Sequence, residues 1–129
     1  MDNPVVLILV VEDDLLVQQL VDEALTEGGF QTEIMASGEE AISRLQGNSS
    51  KYRALLTDIH LGGELTGWDV AKRAREVNPE IPVVYMTGAG ADHWPSHGVP
   101  LSVLLSKPFA PAQVVIAISQ LVNEAPPPS

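Results

Sequence analysis

Short apolar runs alternate along the chain with segments in which apolar residues recur at three- and four-residue spacing. The run from Val5 to Val11 is β-branched and apolar on both faces, which is typical of a strand buried between two layers of a parallel sheet. Helical spacing follows from Leu16 to Leu25, and Gly28-Gly29 supplies a helix stop. These residues predict one strand-helix unit.

The same alternation continues to the end of the chain. Further strands are predicted over residues 32–35, 52–57, 81–86 and 101–105. Further helices are predicted over residues 37–45, over residues 67–77 and from residue 111 onwards. Five alternations predict an α/β fold with a doubly wound, five-stranded parallel sheet, because parallel strands need helical crossovers that cover both faces.

The segment over residues 88–100 departs from this alternation. It holds three Gly and two Pro, so the fourth helix is predicted to be short or broken at Pro95. We expect one domain over residues 1–123 and a proline-rich C-terminal tail over residues 124–129.

Charge and composition narrow the classes of function. The chain has 17 acidic and 7 basic residues, a net charge of −10 that repels phosphate backbones, so we expect no nucleic-acid partner. It has no cysteine, which excludes disulfides and thiolate metal sites and fits a reducing compartment. The longest uncharged apolar run, Val5 to Val11, is too short to span a bilayer. We therefore expect a cytoplasmic protein without membrane insertion.

Polar side chains stand where four of the predicted strands end. Glu12 and Asp13 follow the first strand, and Asp58 ends the third. Thr87 ends the fourth strand and Lys107 follows the fifth. Ligands of such sheets bind at the carboxyl ends of the strands, where these side chains meet. Three carboxylates at one edge repel one another unless a hard cation lies among them, and Mg²⁺ prefers such oxygen ligands.

Each of these residues also has an ordinary interpretation. An acid pair after a strand is often the N-cap and first-turn complement of the next helix, a role that suits Asp14. A lone Asp or Thr at a strand end is often a turn residue, and a lone Lys before Pro is usually a solvated charge. Their joint placement at four strand ends favours chemistry: a carboxylate nucleophile that forms an acyl phosphate, with a hydroxyl and an ammonium group as donors to phosphoryl oxygens.

The order of these motifs resembles the receiver domain of two-component response regulators. The resemblance runs from about Val5 to Val122, through the stretches ILVVEDD, LLTDIHL, VYMTGAG and LSKPF. It implies a flavodoxin-like (βα)5 fold with strand order 2-1-3-4-5.

The resemblance also implies a metal site. Asp58 matches the phosphoaccepting Asp at the end of the third strand. Glu12 and Asp13 match the acidic pair that holds Mg²⁺ together with Asp58, and the backbone carbonyl of His60 matches the remaining protein ligand. Mg²⁺ is therefore the expected cofactor.

Two further residues complete the implied site. Thr87 matches the switch hydroxyl, and Lys107 matches the Lys that pairs with the acceptor and the phosphoryl group. In that family the peptide bond between this Lys and the following Pro is cis, so the Lys107–Pro108 bond is expected to be cis. The chain would then catalyse its own phosphorylation and dephosphorylation at Asp58, without turnover of a separate substrate.

Three features depart from the family pattern. Leu104 takes the place of the usual aromatic residue, and the loop from Asp58 to Gly67 is slightly longer than usual, with Gly62-Gly63 in its middle. The chain between Thr87 and Lys107, which includes the segment over residues 88–100, is shorter than usual. We expect phosphorylation to order this segment through the hydroxyl of Thr87 instead of turning a ring inward.

One cluster in that segment has two possible interpretations. A metal site is one interpretation of His93, Trp94 and His97. Their Gly- and Pro-rich surroundings favour the other, that they are surface or docking residues. Trp94 is expected either to contact a partner, since aromatic side chains often anchor interfaces, or to fold over the shortened fourth helix.

The leading hypothesis is a single-domain response regulator phosphorylated on Asp58 by a histidine kinase or histidine phosphotransferase. It would signal to a downstream protein by contact, or act as a phosphorelay intermediate or phosphate sink. The alternative is a receiver-like docking module that works without phosphorylation.

Two other classes fit the residues less well. A haloacid-dehalogenase-type phosphatase shares the Asp, Mg²⁺, hydroxyl and Lys chemistry, but that family has a second Asp where this chain has His60, and it carries a cap insert. A flavodoxin-like electron carrier needs amides and hydroxyls for the flavin phosphate where this chain has Glu12 to Asp14.

Overall fold

A computed structural model describes residues 6–48, 51–88 and 98–124, and it confirms the predicted alternation of strands and helices. The elements are β1 (Leu7–Val11), α1 (Leu15–Glu27), β2 (Gln31–Met35), α2 (Gly38–Asn48), β3 (Tyr52–Asp58), α3 (Gly67–Val77), β4 (Val83–Thr87), β5 (Ser102–Ser106) and α4 (Pro111–Glu124). The five strands form one parallel sheet in the order β2-β1-β3-β4-β5, as predicted.

The sheet is covered on both faces, which explains why its strands are apolar on both sides. Along β1, Leu9 and Val11 pack in one core with residues of α2 and α3. Ile8 and Val10 pack in a second core with residues of α1 and α4. The alternation of side chains along a strand thus feeds two cores, and the predicted doubly wound arrangement is confirmed.

Local hydrogen bonds fix where the first helices begin. The Asp14 carboxylate accepts from the backbone N–H groups of Leu16 at 2.8 Å and Val17 at 3.3 Å, so Asp14 is the N-cap of α1, as predicted. At α2 the N–H of Glu40 donates to the Ser37 hydroxyl at 3.2 Å. The last turn of α2 is polar and exposed, so the apolar pattern ends at Leu45 although the helix continues to Asn48.

The fourth strand begins two residues later, and the fifth strand one residue later, than the apolar pattern predicts. Ile81 is buried but donates its N–H to the Asn78 carbonyl at 3.2 Å, in the turn after α3. Pro82 has no N–H to give to a sheet, so β4 begins at Val83. Leu101 has φ 58° and is 87% exposed, which makes it a turn residue and delays β5 to Ser102.

Some predictions fall on residues outside the described ranges. These are most of the expected fourth helix, the cluster of His93, Trp94 and His97, and residues 125–129 of the tail. The last helix runs through Glu124, the first residue of the predicted tail. No described helix is long and apolar enough to cross a bilayer.

Candidate functional site

The predicted site residues come together at the carboxyl edge of the sheet. Asp58 is the last residue of β3, and Glu12 directly follows β1, the neighbouring strand. One carboxylate oxygen from each of Glu12, Asp13 and Asp58 lies within 4.8 Å of the other two. Glu12 is fully buried and Asp58 is almost so, whereas Asp13 is exposed. The cluster is therefore open to solvent at Asp13.

Lys107 reaches into this cluster and is not a solvated charge. Its Nζ donates to Glu12 Oε1 at 2.9 Å and to Asp58 Oδ2 at 3.1 Å. Its backbone N–H donates to the Thr87 carbonyl at 2.7 Å, which ties the end of β5 to the end of β4. The Lys107–Pro108 bond is cis, as predicted.

The remaining predicted residues lie at the same edge. Thr87 is buried at the end of β4. The backbone N–H of His60 donates to Asp58 Oδ1 at 3.2 Å, so the two oxygens of the Asp58 carboxylate have different donors. The ligand role of the His60 carbonyl and the switch role of Thr87 stay predictions.

The loop between β3 and α3 is held by an N-terminal capping box that sequence reasoning missed. The Thr66 N–H donates to the Asp69 carboxylate at 2.9 Å, and the Asp69 N–H donates to the Thr66 hydroxyl at 3.3 Å. Gly67, between them, donates its N–H to the Ile59 carbonyl at 2.9 Å. A Cβ on Gly67 would lie 2.8 Å from Ile59 Cα and closer still to the Asp58 carbonyl. The start of α3 thus rests directly on the backbone beside the acceptor.

The double glycine in this loop lies against two carboxylates. A Cβ on Gly62 would lie 3.1 Å from Asp13 Oδ2, and one on Gly63 would lie 3.0 Å from Glu39 Oε1. A side chain at either position would push a carboxylate aside. The glycines therefore let the loop pass close to the acidic cluster.

The cluster carries more negative than positive charge. Three carboxylates face one ammonium group, an excess of two negative charges when all four are ionised. Burial raises the pKa of Glu12 from 4.5 to about 7, although hydrogen bonds from Lys107 and the Asp14 N–H oppose the shift. Burial disfavours the charged form of Lys107, but its hydrogen bonds to Glu12 and Asp58 outweigh burial and raise its pKa.

A hard divalent cation fits this site. All three carboxylates offer oxygen atoms, these atoms are close enough to share one ion, and the exposed side leaves room for water and a substrate oxygen. Such an ion would also offset the excess negative charge. The donor set is therefore the one expected for Mg²⁺.

An aromatic pair lies beside the position where the family aromatic is missing. Leu104 is the sheet neighbour of Tyr85 on β4. The Tyr85 ring packs 4.7 Å from the ring of Trp68, and its hydroxyl accepts from the Val99 N–H at 3.1 Å. Sequence reasoning missed this pair, since the two residues are distant along the chain and belong to different predicted elements.

Comparisons with known proteins agree with the fold and identify the family. The sequence pattern of the family described as "Response regulator receiver domain" matches residues 8–119. The chain is 32% identical over 120 residues to the response regulator receiver protein CpdR of Brucella abortus. The matched region covers 92% of this chain and 98% of CpdR. It is 26% identical to the response regulator SaeR of Staphylococcus aureus, of which it spans 50%.

Solved structures give the same result. A response regulator receiver protein from Sinorhizobium medicae matches with a TM-score of 0.90 and 38% identity, over 93% of this chain and 96% of that one. The family match covers most of the described residues, and it includes every residue of the acidic cluster and Lys107. The chain belongs to the response regulator receiver domain family.

Proposed function

We propose that the chain accepts a phosphoryl group on Asp58 from a phosphohistidine of a histidine kinase or histidine phosphotransferase. One observation carries the proposal: the nearly buried Asp58 carboxylate accepts from the Lys107 ammonium group and lies within 4.8 Å of two further carboxylates at the edge of the sheet. A structural ion pair needs one acid for one base, and the two additional acids are the ligands that a cation would use.

In the proposed reaction an oxygen of the Asp58 carboxylate attacks phosphorus. The new P–O bond forms an acyl phosphate as the P–N bond to the donor imidazole breaks, and the imidazole keeps the electron pair and takes a proton. In the deactivating reaction, water attacks phosphorus, the acyl P–O bond breaks, and inorganic phosphate leaves the regenerated carboxylate.

The protein's own groups position and neutralise the reacting atoms. His60 N–H holds Asp58 Oδ1 and Lys107 Nζ holds Oδ2, so the carboxylate is oriented before a donor arrives. Lys107 and the Thr87 hydroxyl would then donate to phosphoryl oxygens. Mg²⁺ bound by Glu12, Asp13, Asp58 and the His60 carbonyl would supply charge neutralisation on the transferred group.

We propose that the phosphorylated chain signals by contact with a downstream protein, or passes or drains the phosphoryl group in a relay. The sheet-edge site lies next to the start of the segment over residues 88–100, through Thr87. A change at the Thr87 hydroxyl would therefore act on the residue that directly precedes this segment, which we propose as the region that the partner senses.

Intact mass spectrometry after incubation with acetyl phosphate and Mg²⁺ tests the proposal. We expect one phosphoryl adduct on the wild-type chain, released by hydroxylamine and absent when EDTA replaces Mg²⁺. Asp58→Asn should give no adduct, whereas Glu64→Gln, an exposed carboxylate of the same loop, should behave as wild type. A wild-type chain that binds Mg²⁺ but forms no adduct would favour the phosphorylation-independent docking module.

A further inference from the structure

The side chain of Gln18, in the first turn of α1, lies against the backbone that joins two proposed cation ligands. Its Nε2 donates to the backbone carbonyl of Glu12 at 2.6 Å. That carbonyl belongs to the peptide unit between Glu12 and Asp13. We propose that Gln18 is a positioning residue that sets this peptide plane and, through it, the direction of the Asp13 carboxylate. The proposal rests on the Mg²⁺ site of the proposed function.

Glu12 itself is held at several other points. Its N–H donates to the Met35 carbonyl at 3.0 Å, and its two carboxylate oxygens accept from Lys107 at 2.9 Å and from the Asp14 N–H at 3.0 Å. The Glu12 side chain would therefore keep its place without Gln18.

Asp13 is held far less. Within residues 6–48, 51–88 and 98–124, its carboxylate has no hydrogen bond or ion pair. Gly62 leaves room for this carboxylate, since a Cβ there would lie 3.1 Å from Asp13 Oδ2. The direction of the Asp13 carboxylate thus depends on its backbone. The Gln18 amide holds the peptide that precedes Asp13, through the hydrogen bond to the Glu12 carbonyl.

The chemistry of an amide suits this position. A carboxamide donates a hydrogen bond without adding charge, whereas lysine or arginine would place a positive charge beside a cation site. Glutamate would turn an acceptor toward the carbonyl and break the bond. A glutamine therefore orients the acidic pair and leaves the charge of the site unchanged.

The neighbouring residue provides a matched control. Gln19 is on the same helix and has the same side chain, but it is exposed and makes no side-chain hydrogen bond with any described residue. Substitution of either glutamine by methionine keeps the length and the helix propensity of the side chain. A difference between the two variants isolates the bond to Glu12.

The test is the dissociation constant for Mg²⁺ alone, measured by isothermal titration calorimetry on the full chain. Gln18→Met should weaken binding by about tenfold, the low end of the range for groups that orient metal ligands. Gln18→Asn, whose amide is too short to reach the carbonyl, should weaken it similarly and serves if the Met variant does not fold. Gln19→Met should bind Mg²⁺ as the wild type does.

Affinity separates this proposal from a role in stability alone, because a purely structural bond would lower the melting temperature without changing Mg²⁺ binding of the folded chain. Wild-type affinity in both Gln18 variants, with weakened binding in Asp13→Asn, would overturn the positioning role and leave the Mg²⁺ site intact. A wild-type chain that does not bind Mg²⁺ would overturn both proposals.

Discussion

Two clusters of charged groups lie on the sheet, and they balance charge in opposite ways. The acceptor cluster consists of Glu12, Asp13, Asp58 and Lys107, with three acids for one base. The edge-strand cluster consists of Glu33 on β2 with Arg44, Lys51 and Tyr52, where one acid has two bases and a phenol.

The pKa values of the two buried or half-buried glutamates follow this difference. In the acceptor cluster, burial raises the pKa of Glu12 to about 7. In the edge-strand cluster, the 2.6 Å hydrogen bond from the Tyr52 hydroxyl lowers the pKa of Glu33, and Lys51 adds to this effect. A cluster built for stability satisfies its carboxylate, whereas the acceptor cluster keeps an excess of carboxylate that a cation can use.

The largest expected effect is the loss of Lys107. Lys107→Met removes the ammonium group from two buried carboxylates, and we expect the free energy of unfolding to fall by about 3 kcal/mol in the absence of Mg²⁺. Urea denaturation at pH 7.5 measures it.

The edge-strand cluster offers a matched lysine. Lys51 Nζ lies 3.1 Å from Glu33 Oε2, the same distance as from Lys107 Nζ to Asp58 Oδ2, but both partners are more exposed. Lys51→Met should therefore cost less than about 0.5 kcal/mol. Equal losses in the two variants would mean that burial does not distinguish the clusters.

The pH dependence of stability should have opposite signs in the two clusters. Between pH 4.5 and about 7 without Mg²⁺, folded Glu12 binds a proton that the unfolded chain has lost, so its contribution to stability falls as pH rises. Glu33, with a lowered folded pKa, contributes stability above pH 4.5 that is lost as pH falls through its folded pKa.

Urea denaturation across pH 3 to 8 separates these contributions. Glu12→Gln should remove the decline toward pH 7, and Glu33→Gln should remove part of the loss on the acid side. A Glu12→Gln profile parallel to that of the wild type would contradict the assignment.

A smaller effect is expected from the phenol of Tyr52. Tyr52→Phe removes a hydrogen bond to a charged carboxylate, and we expect a loss of about 1.5 kcal/mol at pH 7. The pKa of Glu33, followed by NMR titration, should rise toward its ordinary value of 4.5. Tyr85→Phe is the control, because its hydroxyl accepts from the Val99 N–H and is not a partner of Glu33. It should lower stability without moving that pKa.

The two clusters also differ in how far the sequence predicts them. The acceptor cluster was predicted because each of its residues stands at the end of an apolar run, where topology brings strand ends together. The resemblance then gave each residue a role. The edge-strand cluster has no such signal: Glu33 is one polar residue within a short strand, and Tyr52 is 19 positions away.

The misses have physical causes of the same kind. Ile81 and Leu101 are apolar, but a hydrogen bond to Asn78 and a positive φ, respectively, keep them out of the strands. The bond from Gln18 to the Glu12 carbonyl depends on which way one polar side chain of a helix turns. Hydrophobic pattern determines layers and strand order, whereas single side-chain directions follow from neighbours that only the folded chain assembles.

The smallest expected effect is the contribution of Arg44, the more distant basic side chain of the edge-strand cluster, to the free energy of unfolding. Arg44 lies 3.8 Å from Glu33 and its side chain is 55% exposed, so Arg44→Ala should cost only about 0.3 kcal/mol, and less at high salt. Urea denaturation at low and high NaCl measures this loss, with Arg73→Ala, another exposed ion pair, as the control. A loss near 1.5 kcal/mol would show that Arg44 stabilises Glu33 as much as the Tyr52 hydroxyl does. The two clusters would then differ chiefly in their number of basic side chains. The Tyr52 hydrogen bond alone would no longer explain why Glu33 is satisfied while the acceptor cluster keeps an excess of carboxylates.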